Sequence, residues 1–242
     1  MTSGSEAKYP RSRPRGLVIA IDGPSGAGKS TAGRALAARL GYVFIDTGAM
    51  YRAIALKALR RGMPLDREDA LAALAAETRI ELLEGGRRVV LDGRDVTSGI
   101  RTPEVSAAAS RVSMHPGVRR EMVARQQEMG REGGVVLDGR DIGTAVFPDA
   151  DVKFFLDADR ARRARRRHGE LAEAGSKDDL PAVERETYAR DLADSTRTDS
   201  PLTRAPDAIF LDTTALAPEE VVERLLGAVR GRGGSGPTGS SR

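Results

Sequence analysis

Apolar and polar positions along the chain follow two rhythms. Short apolar runs, several ending in an acid, recur at Leu17–Ile21, Val43–Asp46, Val135–Asp138, Val152–Leu156 and Ala208–Leu211. A strand covered on one face alternates apolar with polar, so unbroken runs predict strands buried on both faces. Between them the apolar residues recur at helical spacing. This predicts helices over Ala32–Leu40, Ala49–Arg61, Glu104–Arg111, Gly117–Gly130, Arg160–Leu171, Pro181–Asp194 and Pro218–Val229. Thr47 reads as the N-cap of the second, and Gly62-Met63-Pro64 as its end. Buried strands alternating with helices predict an α/β domain of three layers around a five-stranded parallel sheet.

The rhythm breaks within residues 65–114. There Asp69–Ala76 reads as a helix, and Arg79–Leu83 and Arg88–Leu91 flank the turn Glu84-Gly85-Gly86-Arg87. A hairpin in an otherwise alternating chain predicts an insertion rather than a strand of the main sheet. Residues 1–15 and 231–242 are rich in Gly, Ser, Pro and charge and read as disordered tails. The domain between them spans 16–230.

Composition narrows the chemistry. The chain has 242 residues, 40% hydrophobic but only 4% aromatic, so the core is aliphatic. The absence of Cys excludes disulfides, thiolate metal sites and a Cys nucleophile. No apolar run approaches the ~20 residues of a membrane span. The start of the chain shows no apolar leader, so a cytoplasmic location and no membrane partner are expected. The net charge is +4, and of 39 basic residues only Lys8, Lys29, Lys57, Lys153 and Lys177 are Lys. Arg is the better bidentate partner for phosphate and carboxylate.

The first strand runs into Gly23-Pro24-Ser25-Gly26-Ala27-Gly28-Lys29-Ser30-Thr31, which fits G-x-x-x-x-G-K-[ST]. Glycines let the loop turn its backbone N–H groups onto a polyphosphate, and the following helix N-terminus favours negative charge. Lys29 then reaches the β/γ-phosphates, and Ser30 offers a hydroxyl to Mg²⁺. Ligands of parallel sheets collect at the carboxyl ends of the strands. Thr47-Gly48-Ala49-Met50-Tyr51-Arg52 and Asp138-Gly139-Arg140-Asp141 fall at that edge. Helical spacing places Arg190, Asp194 and Arg197 within two turns of one face. Several Arg beside a phosphate loop predict docking of a second phosphate-bearing molecule, with Asp side chains for hydroxyls or an exocyclic amine. Asp22, Asp46, Asp138 and Asp157 end strands, and any of them could assist Mg²⁺ through water. The run Arg160–Arg167 reads as a lid, although a solvated or nucleic-acid-binding face has the same composition.

These residues resemble the bacterial cytidylate kinases. The resemblance rests on GPSGAGKST at 23–31, DTGAMYRA at 46–53, DGRDIGTAVFPDA at 138–150, RDLADSTR at 190–197 with Pro201-Leu202, and DAIFLDTT at 207–214. It implies a P-loop kinase using ATP and Mg²⁺, with CMP or dCMP as acceptor, an insert at about 63–114, a lid at about 158–185 and a monomeric chain that binds no nucleic acid. It implies Thr47, Tyr51 and Arg52 in the acceptor pocket, with Arg52 and Arg140 on the acceptor phosphate. Ser110, Arg119 and Asp141 are implied to read the cytosine, Arg190 and Asp194 the ribose, and Arg197 to line the same site. Arg163, Arg166 and Arg167 match the lid run over ATP, with Lys29, Arg140, Arg163 and Arg167 neutralising the transferring group. Another small acceptor (UMP, AMP or shikimate) and an Arg-rich nucleic-acid-binding NTPase are the alternatives.

Overall fold

The computed structural model describes residues 13–173 and 175–233. The chain runs β1 (Val18–Asp22), α1 (Lys29–Leu40), β2 (Val43–Asp46), α2 (Thr47–Arg60), α3 (Glu68–Glu77), β3 (Ile80–Leu83), β4 (Arg88–Leu91) and β5 (Arg94–Asp95). It continues through α4 (Pro103–Val112), α5 (Pro116–Gly130), β6 (Val135–Gly139), β7 (Val152–Asp157), α6 (Arg160–Glu173), α7 (Leu180–Thr196), β8 (Ile209–Asp212) and α8 (Pro218–Gly233). A 3₁₀ turn at Gly99–Arg101 and a π turn at Ile142–Val146 punctuate it.

Five strands form one sheet in the order β2-β6-β1-β7-β8, every pairing parallel. Successive residues of β1 serve opposite faces. Val18 and Ala20 join a core with Met50, Ile54, Leu137 and Val118, whereas Ile19 and Ile21 join one with Leu36, Phe44, Phe154 and Leu225. Helices thus cover both faces, as the unbroken apolar runs require. β1 lies at the centre, so its carboxyl end opens onto the middle of the sheet edge.

The inserted strands form a separate antiparallel sheet, β3-β4-β5, one strand more than the hairpin reading expects. Their apolar side is not a core of its own. Val89 and Leu91 of β4, with Leu71 and Leu74 of α3, belong to the same cluster as Val18, Ala20 and Leu137 of the main sheet. The insert is therefore packed onto the domain as a continuation of one face.

Three boundaries differ from the sequence reading. Thr47 is the first residue of α2, and Asp46 is its cap, accepting the Ala49 N–H at 2.8 Å. An Asp preceding a Thr is the better acceptor for the orphan amide. Arg197 lies just past α7 in extended conformation (φ −60°, ψ 143°), so it does not share a helix face with Arg190 and Asp194. Of the segments read as tails, 1–12 and 234–242 lie outside the described residues. Arg13, by contrast, is tied down: it pairs with Asp151 at 2.8 Å and Asp149 at 2.9 Å and sits over the Phe147 ring.

Asp151 also accepts the Val18 N–H at 2.7 Å, so the Arg13 pair anchors the entry to the central strand. Arg13→Ala is expected to cost about 1–2 kcal/mol, because one partner is nearly buried. Thermal unfolding should register this as a fall in Tm of roughly 3–6 °C for a domain of this size.

Candidate active site

The phosphate loop is shaped by backbone contact before any side chain acts. Gly23 has φ 145°, and a Cβ there would meet the Leu156 carbonyl oxygen at 1.9 Å. Gly26 and Gly28 are also left-handed, at φ 74° and 86°, and Gly28 leads directly into α1. The helix begins at Lys29, earlier than apolar spacing indicates, because the loop supplies its N-terminus. Lys29 is buried, and its Nζ donates to the Pro24 carbonyl at 2.7 Å, crossing its own loop.

This loop, the start of α2, the end of β6 and the C-terminal half of α7 line one open cleft. Lys29, Arg52, Arg119, Arg140, Arg167, Arg190 and Arg197 all line it, opposed by Asp46, Asp138, Asp141, Glu170 and Asp194. Thr47 and Tyr51 line it as well. The convergence of cations expected from the strand edge is therefore present.

Inside the cleft the ions form a fixed pattern. Arg140 Nε donates to Asp194 at 2.7 Å, and Arg52 reaches Asp46 at 3.2 Å. Arg119, wholly buried, donates to Asp141, whose other oxygen lies 3.4 Å from Arg197 Nη2. The Thr47 hydroxyl donates to the Asp138 carbonyl at 2.6 Å. Arg52 Nε and Arg190 Nε are buried without a hydrogen bond, while Arg119 Nε and Arg197 Nη2 lie only in ion-pair contact, 3.3 Å from Asp199 and 3.4 Å from Asp141.

Titration behaviour reflects burial first and neighbouring charge second. Burial, reinforced by Arg140, lowers the Lys29 ammonium to about 7. Burial and Arg140 likewise lower the Arg190 guanidinium to about 10. Burial alone would raise Asp194, but Arg140 and Arg190 outweigh it and hold the carboxyl below its usual range. Burial raises the Tyr51 phenol to about 12, so it is neutral and can donate. Polyanionic ligands would relieve this crowding and satisfy the free N–H groups.

Of the four strand-ending acids, one fits a divalent cation. Both Asp22 oxygens accept backbone N–H groups, from Ile142 and Gly143. Asp46 is held by Ala49 and Arg52, and Asp157 by Ala158 and Arg163. Asp138 accepts the Ser30 hydroxyl through one oxygen and leaves the other buried and unpartnered. A hydroxyl beside an orphaned carboxylate oxygen suits Mg²⁺, which takes one or two protein oxygens plus phosphates. No group of three or more His, Cys, Asp or Glu able to cage a metal occurs among the described residues.

The lid arginines do not act as one face. Arg163 turns into the protein, donating to the Ala158 carbonyl at 3.0 Å, to the Ser25 carbonyl of the phosphate loop at 3.1 Å and to Asp191. Arg166 is taken by Thr213, at 3.0 Å to its hydroxyl and 2.7 Å to its carbonyl. Of the three, Arg167 lines the cleft; it donates to Ser106 of α4 and to Glu170, each at 3.1 Å. Ser110 is not in the cleft wall; Ala109 and Ser113 of the same segment are. These two lie one helical turn apart, and Ser110 points about 100° away from Ala109.

Sequence reasoning missed a second cavity, beside the outer side of the phosphate loop. Ala27, Gly28, Arg166, Thr213 and Ala215–Pro218 line it. Its signal was the Asp212-Thr213-Thr214 run ending β8, where Thr213 is buried and lies 3.1 Å from both the Ala27 and Asp157 carbonyls.

A parallel sheet with a glycine loop, a buried Lys and an acid-plus-hydroxyl pair at its central carboxyl edge defines a P-loop nucleotide-binding protein. The sequence model described as Cytidylate kinase matches residues 19–231. A cytidylate kinase of Solibacter usitatus (strain Ellin6076) is 52% identical over 221 residues, covering 89% of this chain and 93% of that protein. One from Symbiobacterium thermophilum is 53% identical over 215 residues, covering 88% and 95%. Among solved structures, a shikimate kinase from Bacteroides thetaiotaomicron overlays with a TM-score of 0.47 at 16% identity, over 88% of this chain and 98% of that one. The chain belongs to the cytidylate kinase family.

Gly23→Ala tests whether the loop geometry governs the site. The added methyl cannot coexist with the Leu156 carbonyl, so the loop must shift. Titration with an ATP analogue is expected to show affinity reduced at least tenfold, with far-UV circular dichroism unchanged.

Proposed function

We propose that this protein transfers the γ-phosphoryl group of ATP to CMP or dCMP, giving CDP or dCDP and ADP. The observation that carries the reading is the single cleft joining Lys29 and Ser30 to Arg52, Arg140, Arg190 and Arg197, with Arg52 Nε and Arg190 Nε buried without a hydrogen bond. Family membership supports the nucleotide class of the acceptor.

ATP is read as lying with its phosphates in the loop from Gly23 to Thr31 and its base in the second cavity, beside Ala27, Thr213 and Leu216. Mg²⁺ would be held by Ser30 with the help of Asp138, and it would supply neutralisation of the phosphate charge. Lys29 withdraws from the Pro24 carbonyl to meet phosphate oxygens. The acceptor phosphate is aimed by Arg52 and Arg140, each already oriented by a carboxylate. Asp194 exchanges part of its bond with Arg140 for a ribose hydroxyl, and Arg190 and Arg197 complete the anion's surroundings. The Arg119–Asp141 pair faces the pyrimidine, presenting both donor and acceptor edges. Ser113, which lines the cleft, stands where the sequence reading has Ser110.

No protein base is needed, because the attacking oxygen is already an anionic phosphate oxygen. Alignment and neutralisation carry the acceleration. Arg167 is the lid cation that faces the transferring group. Arg163 acts indirectly, by holding the phosphate loop through Ser25.

ADP release coupled to a dye readout, across CMP, dCMP, UMP, AMP and shikimate, tests the assignment; CMP or dCMP should be used best. A strong preference for another acceptor, or ATPase activity stimulated by DNA or RNA with steep salt dependence, would overturn it. Lys29→Ala should lower CMP phosphorylation by at least about 10³-fold in a folded protein, as loss of phosphate-neutralising groups generally does. Arg119→Ala should narrow the preference for CMP over UMP while leaving ATP affinity within about twofold. Competition kinetics with mixed acceptors would read that change directly.

A further inference from the structure

The residue immediately before the phosphate loop does work at the acceptor side. We propose that Asp22 is a positioning residue that caps the turn after Arg140-Asp141, thereby releasing the Asp141 carboxylate to pair with Arg119 in the cleft. The inference deepens the reading of Arg119 and Asp141 as the base-facing pair and rests on it.

The π turn Ile142–Val146 has Asp141 in its N-cap position, with φ −149° and ψ 24°. The first N–H groups of any helical turn lack partners within it, and an Asp at the cap normally satisfies them with its own side chain. Asp141 makes no such bond. Its carboxylate is turned to Arg119 and Arg197 instead. Asp22 supplies the missing cap from another strand. Its Oδ1 accepts the Ile142 N–H at 2.8 Å and its Oδ2 the Gly143 N–H at 2.7 Å. Asp22 is only 4% exposed, so water does not replace it readily.

The arrangement has a second consequence. β1 and β6 are hydrogen-bonded neighbours, with Asp22 opposite Gly139. The cap therefore fixes Arg140 and Asp141 against the strand that ends in the phosphate loop. One carboxylate thus sets the register between donor and acceptor subsites. Without it, the bare N–H groups of Ile142 and Gly143 compete with Arg119 for Asp141.

Asp22→Asn keeps the shape but turns an amide donor toward one of the two N–H groups. In the folded variant, KM for CMP should rise at least fivefold and the preference for CMP over UMP should shrink at least threefold. KM for ATP should stay within twofold. The decisive measurement is a double-mutant cycle with Asp141→Ala. If Asp22 acts through Asp141, Asp22→Asn adds less than twofold to the CMP defect in the Asp141→Ala background. Full additivity, or equal loss of ATP and CMP use, means that Asp22 merely supports the fold and overturns the proposal. Should Asp22→Asn fail to fold, Asp22→Ser probes the same grip, since one short hydroxyl cannot accept both the Ile142 and the Gly143 N–H. The same split between acceptor and ATP parameters, and the same cycle, then decide. If the wild type prefers another acceptor, the substrate reading fails, and the cycle judges Asp22 on that acceptor's KM.

Discussion

Two molecules that both carry phosphate repel one another, and a site that joins them must cancel that repulsion without water. The structure is arranged around this constraint. Seven cationic side chains are drawn to one edge of one sheet, against five carboxylates. Burial first, and the charge of Arg140 second, lower both Lys29 and Arg190. The fold tolerates the excess because the cations are oriented by specific partners rather than by one another. Arg140 leans on Asp194, Arg52 on Asp46, and Arg119 on Asp141. Arg52 keeps its Nε without a hydrogen bond, and Arg190 beside these pairs does the same.

The parallel sheet is what brings these pairs together. β1, β2 and β6 are adjacent, and each ends at the same edge, so Asp22, Asp46 and Asp138 stand side by side. Three neighbouring acids at strand ends then take three different tasks according to what faces them. Asp46 caps a helix and orients Arg52, Asp22 caps a turn, and Asp138 alone keeps an oxygen free beside Ser30. Burial and the proximity of Asp46 push the Asp138 carboxyl up to about 6, a tendency opposed by the Ser30 hydrogen bond and Lys29.

The parts of this arrangement carried by short contiguous patterns were legible in the sequence. The phosphate loop, the strand-end acids and the Arg of α2 and β6 follow from period, spacing and the topology of parallel sheets. What required coordinates is whatever depends on a partner from a distant segment. Arg163, Arg166 and Arg167 share one helix and one composition, yet they bond to Ser25, Thr213 and Ser106 on three other elements. No periodicity distinguishes them. The choice of Ala109 and Ser113 over Ser110 in the wall depends on the rotation of α4 against α2, which pattern alone does not set. The second cavity was hidden because its wall is assembled from segments distant in sequence, the phosphate loop at Ala27 and Gly28, Arg162 and Arg166 of α6, and the loop from Thr213 to Pro218.

The grip of Arg163 on the Ser25 carbonyl limits how the cleft can open. Its guanidinium also holds Ala158 and Asp191, and the Arg163 carbonyl sits where a Cβ on Gly26 would be, 2.5 Å away. The root of α6 and the glycine loop therefore form one rigid unit. If α6 swings when a nucleotide enters, these contacts put the pivot beyond Arg163, so that Arg167 would travel while the cradle for the donor's phosphates stays in place. Exchange of the donor can then proceed without dismantling the surface that recognises it.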